Sequence, residues 1–157
     1  MAFAVHHLGV DDVPLMDAMR AMFGAAFEDE ATYLGKPPSA DEARAWLARE
    51  GVIALAAVED GAVIGGLVAY VLPKFEQARS EIYLYDLAVD AAHRRRGVAT
   101  ALIRHLQAMA AERGAWVIFV QADQGDDAAI ALYTRLGTRE DVLHFDIAPR
   151  PRPRPSR

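Results

Sequence analysis

Two apolar, β-rich runs at residues 52–58 and 63–72 are joined by Glu59-Asp60-Gly61-Ala62, and this constrains the fold more than any other segment. Asp-Gly between such runs marks a tight hairpin, because both central residues of the favoured turn need positive φ. Elsewhere strand and helix patterns alternate, so an antiparallel pair inside an α/β alternation predicts a mixed sheet. Residues 3–8 read as a first strand. Asp11-Asp12 can cap a helix whose apolar positions Val13, Met16, Met19, Ala21 and Phe23 recur at roughly helical spacing. After a break at 36–39, Ser39 or Asp41 starts a second helix that ends at Gly51. Residues 81–89 form a strand, 97–112 a helix stopped by Gly114, and 116–121 another strand. Asp126 or Asp127 caps a short helix through Leu136, and residues 142–147 are expected to close the sheet as a last strand.

With 157 residues, one hydrophobic core is enough. The expectation is one domain over 1–148, followed by a Pro-Arg tail at 149–157 that is disordered or polyproline-like. The chain has no cysteine, and its five histidines lack the paired spacing of zinc sites, so metal-free chemistry is expected. Four of the 17 basic residues lie in the tail, which leaves 13 against 22 acidic ones over 1–148. So acidic a body disfavours nucleic acid and favours cationic partners. No apolar run is long enough to span a bilayer, and the amino terminus does not read as a secretory signal, so no membrane partner and a cytoplasmic location are expected.

The strand Tyr85-Asp86-Leu87-Ala88-Val89 runs through a basic turn, His93-Arg94-Arg95-Arg96-Gly97, into a helix that begins Val98-Ala99-Thr100. Such a turn aims free backbone N–H groups at an anion, and the helix dipole adds about half a positive charge there. The arrangement suits a pyrophosphate. Gly97 permits close backbone approach, and the guanidinium groups of Arg94, Arg95 and Arg96 can add charge-assisted bonds. The plainer alternative is a helix with a solvated basic first turn. Against it, three arginines at a helix amino terminus oppose the dipole unless an anion is present. Neither GxxxxGK[ST] nor GxGxxG occurs.

Arg94-Arg95-Arg96-Gly97-Val98-Ala99 fits [RQ]-x-x-G-x-[GA], and the chain resembles the GCN5-related N-acetyltransferases over essentially all of 1–148. The resemblance implies a mixed, mostly antiparallel sheet with splayed central strands, flanked by helices. It also implies acetyl-CoA as cosubstrate, held by backbone groups of Leu87, Ala88 and Val89 and by a phosphate site of Arg94, Arg95, Arg96, Gly97, Val98, Ala99 and Thr100. Segments including residues 69–77, 79–83, 120–123, 125–127 and 144–146 look especially like the aminoglycoside 3-N-acetyltransferases of the gentamicin-resistance type. That closer likeness implies acetylation of the 3-amino group of an aminoglycoside, with a homodimer as the assembly.

Asp86 interrupts an otherwise apolar strand, where an unpaired buried carboxylate costs several kcal/mol. One reading makes it the base that deprotonates the acceptor ammonium; the other makes it an acid exposed at a strand end or paired with an arginine. Tyr133 resembles the tyrosine that many of these enzymes place near the thioester sulfur, which implies a general acid; a core tyrosine at helical spacing is the alternative. Acceptor contacts are expected from Tyr83, Asp86, Asp123, Asp126 and Asp146, although Asp126 is also a candidate helix cap. Two rival readings remain: an acetyltransferase for protein amino termini or small polyamines, and a non-catalytic acyl-CoA-binding module.

Overall fold

The structure, a computed structural model, describes residues 2–151. The chain packs as two compact units, Met1–Gln121 and Ala122–Arg157. The first holds β1 (Ala4–His7), α1 (Val13–Ala26), α2 (Glu30–Leu34), α3 (Ala40–Leu47), β2 (Val52–Glu59), β3 (Ala62–Pro73), β4 (Ser80–Val89), α4 (Val98–Glu112) and β5 (Ala115–Val120). Its sheet has the order β1-β2-β3-β4-β5, antiparallel from β1 to β4 and parallel between β4 and β5. The expected α/β fold with a mixed, mostly antiparallel sheet is therefore the one observed. No helix among the described residues is long and apolar enough to cross a membrane.

The hairpin forms where Asp-Gly demands it: Asp60 has φ +49° and Gly61 φ +80°, and Glu59 pairs with Ala62 across the turn. Ser39, rather than Asp41, starts α3 through a reciprocal capping box with Glu42. That helix ends at Leu47, short of the expected Gly51.

Helices press on both faces of β3, and adjacent glycines make this possible. A Cβ on Gly66 would lie 2.6 Å from Met19 Cγ of α1, and one on Gly65 would lie 2.6 Å from Val98 Cγ1 of α4. Side chains alternate along a strand, so Gly65 and Gly66 open one seat on each face. On the α1 side, Ala54, Ala56, Val68 and Ala88 meet Met19, Met22, Phe23 and Leu47. Burial on the other side is deeper: Leu67, Ile82, Leu84, Leu102 and Leu106 are almost fully withdrawn from water.

After α1, Asp29 accepts a hydrogen bond from Thr32 N and caps the short α2. One expectation needs correction. The expected strand at 142–147 does not form. Residues 138–151 have no regular secondary structure, and Val142, Leu143, Phe145 and Ile147 are exposed. The only regular element described in this second unit is α5 (Asp127–Leu136), so the segment has no ladder partner within it. Residues 149–151 of the tail are exposed, and 152–157 lie outside the described residues.

Candidate active site

The candidate site begins at an irregularity in β4. Val68 opposes Asp86 and Ala69 opposes Leu84, which leaves Tyr85 as an extra residue in the ladder. Ile82 and Leu84 share a buried face, and without the bulge Asp86 would continue it. The bulge turns Asp86 to the α1 side instead, opposite Val68 and in line with Ala88.

Pairing with β5 ends at the same place. The parallel ladder runs through Ile82, Tyr83 and Leu84 and stops at Val120, whereas β4 continues to Val89. Residues 85–89 are thus paired with β3 alone, and their other edge has no strand partner among the described residues. A ligand with amide groups can meet that edge as a strand would.

Directly beyond it lies the basic turn. Asp90 N donates to Ile64 O at 2.9 Å, and the Asp90 carboxylate accepts from Ala92 N at 3.2 Å to start one 3-10 turn at Ala91–His93. Arg95 has φ +62° and Gly97 φ +80°, so two left-handed residues flank Arg96. Conformations of this kind turn successive N–H groups toward one concavity. Gly97 occupies the N-cap of α4 without a side-chain cap, and no acid lies in the first turn. The leading amides of α4 are therefore free of side-chain acceptors, and nothing lies within 4 Å of where a Gly97 Cβ would stand. Free amides, a helix dipole and open space together suit a diphosphate.

The three arginines divide. Arg94 Nε donates to Val89 O at 3.3 Å, and Arg96 forms a two-pronged pair with Glu59 at 2.7 and 3.1 Å. A cleft of about 410 Å³ opens beside Arg94, between Asp90 and Ala91 on one side and residues 25–28, at and just beyond the end of α1, on the other.

Asp86 meets Tyr33 of α2, whose hydroxyl donates to Oδ1 at 3.1 Å. Burial pushes the Asp86 carboxyl above the usual aspartate range, and the Tyr33 bond works in the opposite direction. Burial and the Asp86 charge hold the Tyr33 hydroxyl protonated. Asp86 thus has a raised basicity, a fixed donor and a partly open position, which are what a proton acceptor needs. Neither half of the plainer reading holds, because Asp86 lies within β4 and its partner is a tyrosine, not an arginine. Aromatic rings adjoin it in a row: Tyr70 meets Tyr85 at 5.7 Å, Tyr85 meets Tyr83 at 5.3 Å, and Tyr83 stacks on Phe119 at 4.6 Å. Tyr83 also donates to Gln121 at 2.8 Å, while Tyr85 is 61% exposed.

In the second unit, Asp126 caps α5 by accepting from Ala129 N at 3.1 Å, so its carboxylate serves the helix. Asp123 is exposed, and Asp146 is exposed beside His144 at 3.0 Å. Tyr133 is partly buried, with its hydroxyl pushed up to about 12 by burial and then by the Asp126 charge. Sequence reasoning missed Tyr33 as the partner of Asp86. It also missed Glu59, which the hairpin pattern absorbed as a turn residue. An acid interrupting an apolar strand was the available signal for Asp86, whereas Glu59, followed at once by Asp60 and Gly61, reads as part of the turn.

The model of the Acetyltransferase (GNAT) family matches residues 16–138. An aminoglycoside acetyltransferase from an uncultured soil metagenomic sample is 56% identical, with 94% of this chain and 99% of that one covered at a TM-score of 0.92. A second one from such a sample, solved in complex with sisomicin, is 28% identical over 94% and 97% of the two chains at a TM-score of 0.86. Among curated proteins, the [ribosomal protein bS18]-alanine N-acetyltransferase of Escherichia coli (strain K12) is 33% identical over 69 residues, 44% of this chain and 47% of that enzyme. A probable N-acetyltransferase family 8 member of Mus musculus is 27% identical over 85% of this chain and 59% of its own length. The matched region thus spans only about half of these two curated relatives.

Proposed function

Since the chain belongs to the acetyltransferase (GNAT) family, we propose that it moves an acetyl group from acetyl-CoA to the 3-amino group of an aminoglycoside of the gentamicin kind, an activity that would confer resistance. The observation that carries this reading is a continuous path: a strand half-paired over residues 85–89, a turn with two left-handed residues, and an uncapped helix. The edge of residues 85–89 suits the amide-bearing arm of the coenzyme, and the amides from Arg95 to Thr100 suit its diphosphate. The thioester supplies the acetyl group when bound.

Asp86 takes the proton from the acceptor ammonium, directly or through water, and so frees the lone pair for attack on the acetyl carbonyl; the C–S bond would break as the amide bond forms, with CoA leaving as its thiol. An N–H on the open edge of β4 steadies charge on the carbonyl oxygen. Tyr133 remains protonated at neutral pH and has the chemistry for the acid role that its resemblance implies. The aminoglycoside acceptor is supported by the relative at 56% identity, by the sisomicin complex of the other, and by the acidic excess over residues 1–148. The row of Tyr85 and Tyr83 beside Asp86 offers apolar faces for sugar rings.

Gentamicin incubated with the protein and acetyl-CoA, then examined by mass spectrometry and NMR, tests the proposal. One added acetyl group on the 3-nitrogen is expected, and an unmodified antibiotic would overturn the acceptor assignment. The identity to an enzyme that acetylates an alanine of a ribosomal protein keeps a second reading in play. Peptides with amino-terminal alanine serve as its assay: turnover with them and none with gentamicin would favour it.

A further inference from the structure

Among the described residues, the one charged side chain buried in the core is Glu59. It stands at the end of β2, immediately before the hairpin turn, with its side chain 5% exposed. A carboxylate withdrawn from water in this way needs a cationic partner, and the basic turn supplies one in Arg96. The Arg96 guanidinium binds it with two prongs, Nη2 to Oε1 at 2.7 Å and Nη1 to Oε2 at 3.1 Å. His93 Nε2 stands 3.6 Å from Oε2, and His93 Nδ1 meets the Asp90 carboxylate at 2.6 Å. Asp90 is itself fastened to β3 through Ile64 O.

The turn is thus tied to the β2–β3 hairpin at residues 90 and 96, with His93 fastened to Asp90. The left-handed Arg95 lies between two of these ties, and the left-handed Gly97 follows the last. Left-handed backbone at a non-glycine residue is unfavourable and persists only where its surroundings impose it. The forked Arg96–Glu59 pair on one side of Arg95, and on the other the Asp90 bond to β3 with His93 held by the Asp90 carboxylate, are such an imposition.

Resting on the proposed function, we infer that Glu59 is a positioning residue for the coenzyme. It holds Arg96, and so aims the amides around Gly97 at the diphosphate. Arg96 acts through Glu59 and not by gripping phosphate itself, since leaving the pair would strand a buried carboxylate.

The two roles for Arg96 give opposite outcomes in Glu59→Gln. If Arg96 grips phosphate directly, releasing it from Glu59 leaves acetyl-CoA binding unchanged or tighter. If Glu59 positions the turn, binding weakens. The experiment measures acetyl-CoA affinity by calorimetry, with kcat and both KM values from thiol release. For E59Q the expected result is a rise of about tenfold in the dissociation constant and KM for acetyl-CoA. The expected kcat stays within about twofold and the acceptor KM is unchanged, a split that general loss of folded protein would not produce. Folded E59Q that binds acetyl-CoA as tightly as the wild type would overturn the inference. Should E59Q fail to fold, R96K keeps the charge but loses the fork. It is expected to show the same rise in acetyl-CoA KM, and an unchanged KM would be equally fatal. Wild-type protein that binds no acetyl-CoA would instead remove the proposed function, and this inference with it.

Discussion

The two halves of β4 are built from similar residues and serve opposite ends. Residues 80–84 have a strand on each side, bury Ile82 and Leu84 almost completely, and expend their backbone groups on the sheet. Residues 85–89 keep the ladder to β3 but lose the one to β5, and the bulge at Tyr85 brings a carboxylate where the apolar alternation would have put another buried side chain. The first half holds the sheet together, and it holds the second half in place. What is incomplete as a sheet in the second half is what remains available to a ligand.

The largest expected effect belongs to the open half. Asp86→Asn is expected to lower kcat by about 10² to 10⁴ at neutral pH, as loss of a general base does, with acetyl-CoA affinity nearly intact. The same change should raise thermal stability. Burial lifts the folded pKa of Asp86 above its ordinary 3.8, so the ionised form opposes folding. That penalty is fully present above the raised value and disappears below 3.8, so the stabilisation seen by calorimetry should fade as pH falls through this window. A full-rate D86N enzyme would erase the distinction between the halves.

Ile82→Ala probes the closed half. Removing a fully buried side chain should cost about 2–5 kcal/mol by denaturant titration, while the protein that remains folded keeps its acetyl-CoA KM. A raised KM with unchanged stability would show that the two halves are not separable.

Gly97→Ala tests where the open half meets α4. The added Cβ meets nothing within 4 Å, but φ is +80°, so the cost of about 1–2 kcal/mol is one of backbone conformation. Weaker acetyl-CoA binding by calorimetry is expected, with kcat less affected.

Tyr33→Phe is the mildest. It removes one hydrogen bond, a loss of about 0.5–1.5 kcal/mol, and with it the contact that lowers the Asp86 pKa. The acid limb of the kcat/KM profile should therefore move to higher pH. An unmoved limb would mean that another group titrates there.

Much of this comparison was legible in the amino-acid order. The Asp-Gly hairpin, α4 and its stop at Gly114, and the glycine-bearing basic turn all arise from local patterns of polarity and backbone freedom. Asp86 stood out because it interrupts a strand. What could not be read were partnerships across the fold: Tyr33 with Asp86 lies 53 positions apart, and Glu59 with Arg96 lies 37. Nothing near Glu59 in sequence announces a buried cation pair, and the bulge at Tyr85 depends on the register with β3. The expected strand at 142–147 failed for a related reason, since alternation supplies a suitable segment but not a neighbour to pair with it.

The central claim is that the open half of β4 and the turn beyond it receive acetyl-CoA. Amide hydrogen exchange, followed peptide by peptide with and without acetyl-CoA, tests this most directly. Protection should rise at residues 85–89 and 95–100 while the β2–β3 hairpin ladder stays as it was. Unchanged exchange in those two stretches at saturating acetyl-CoA would contradict the account.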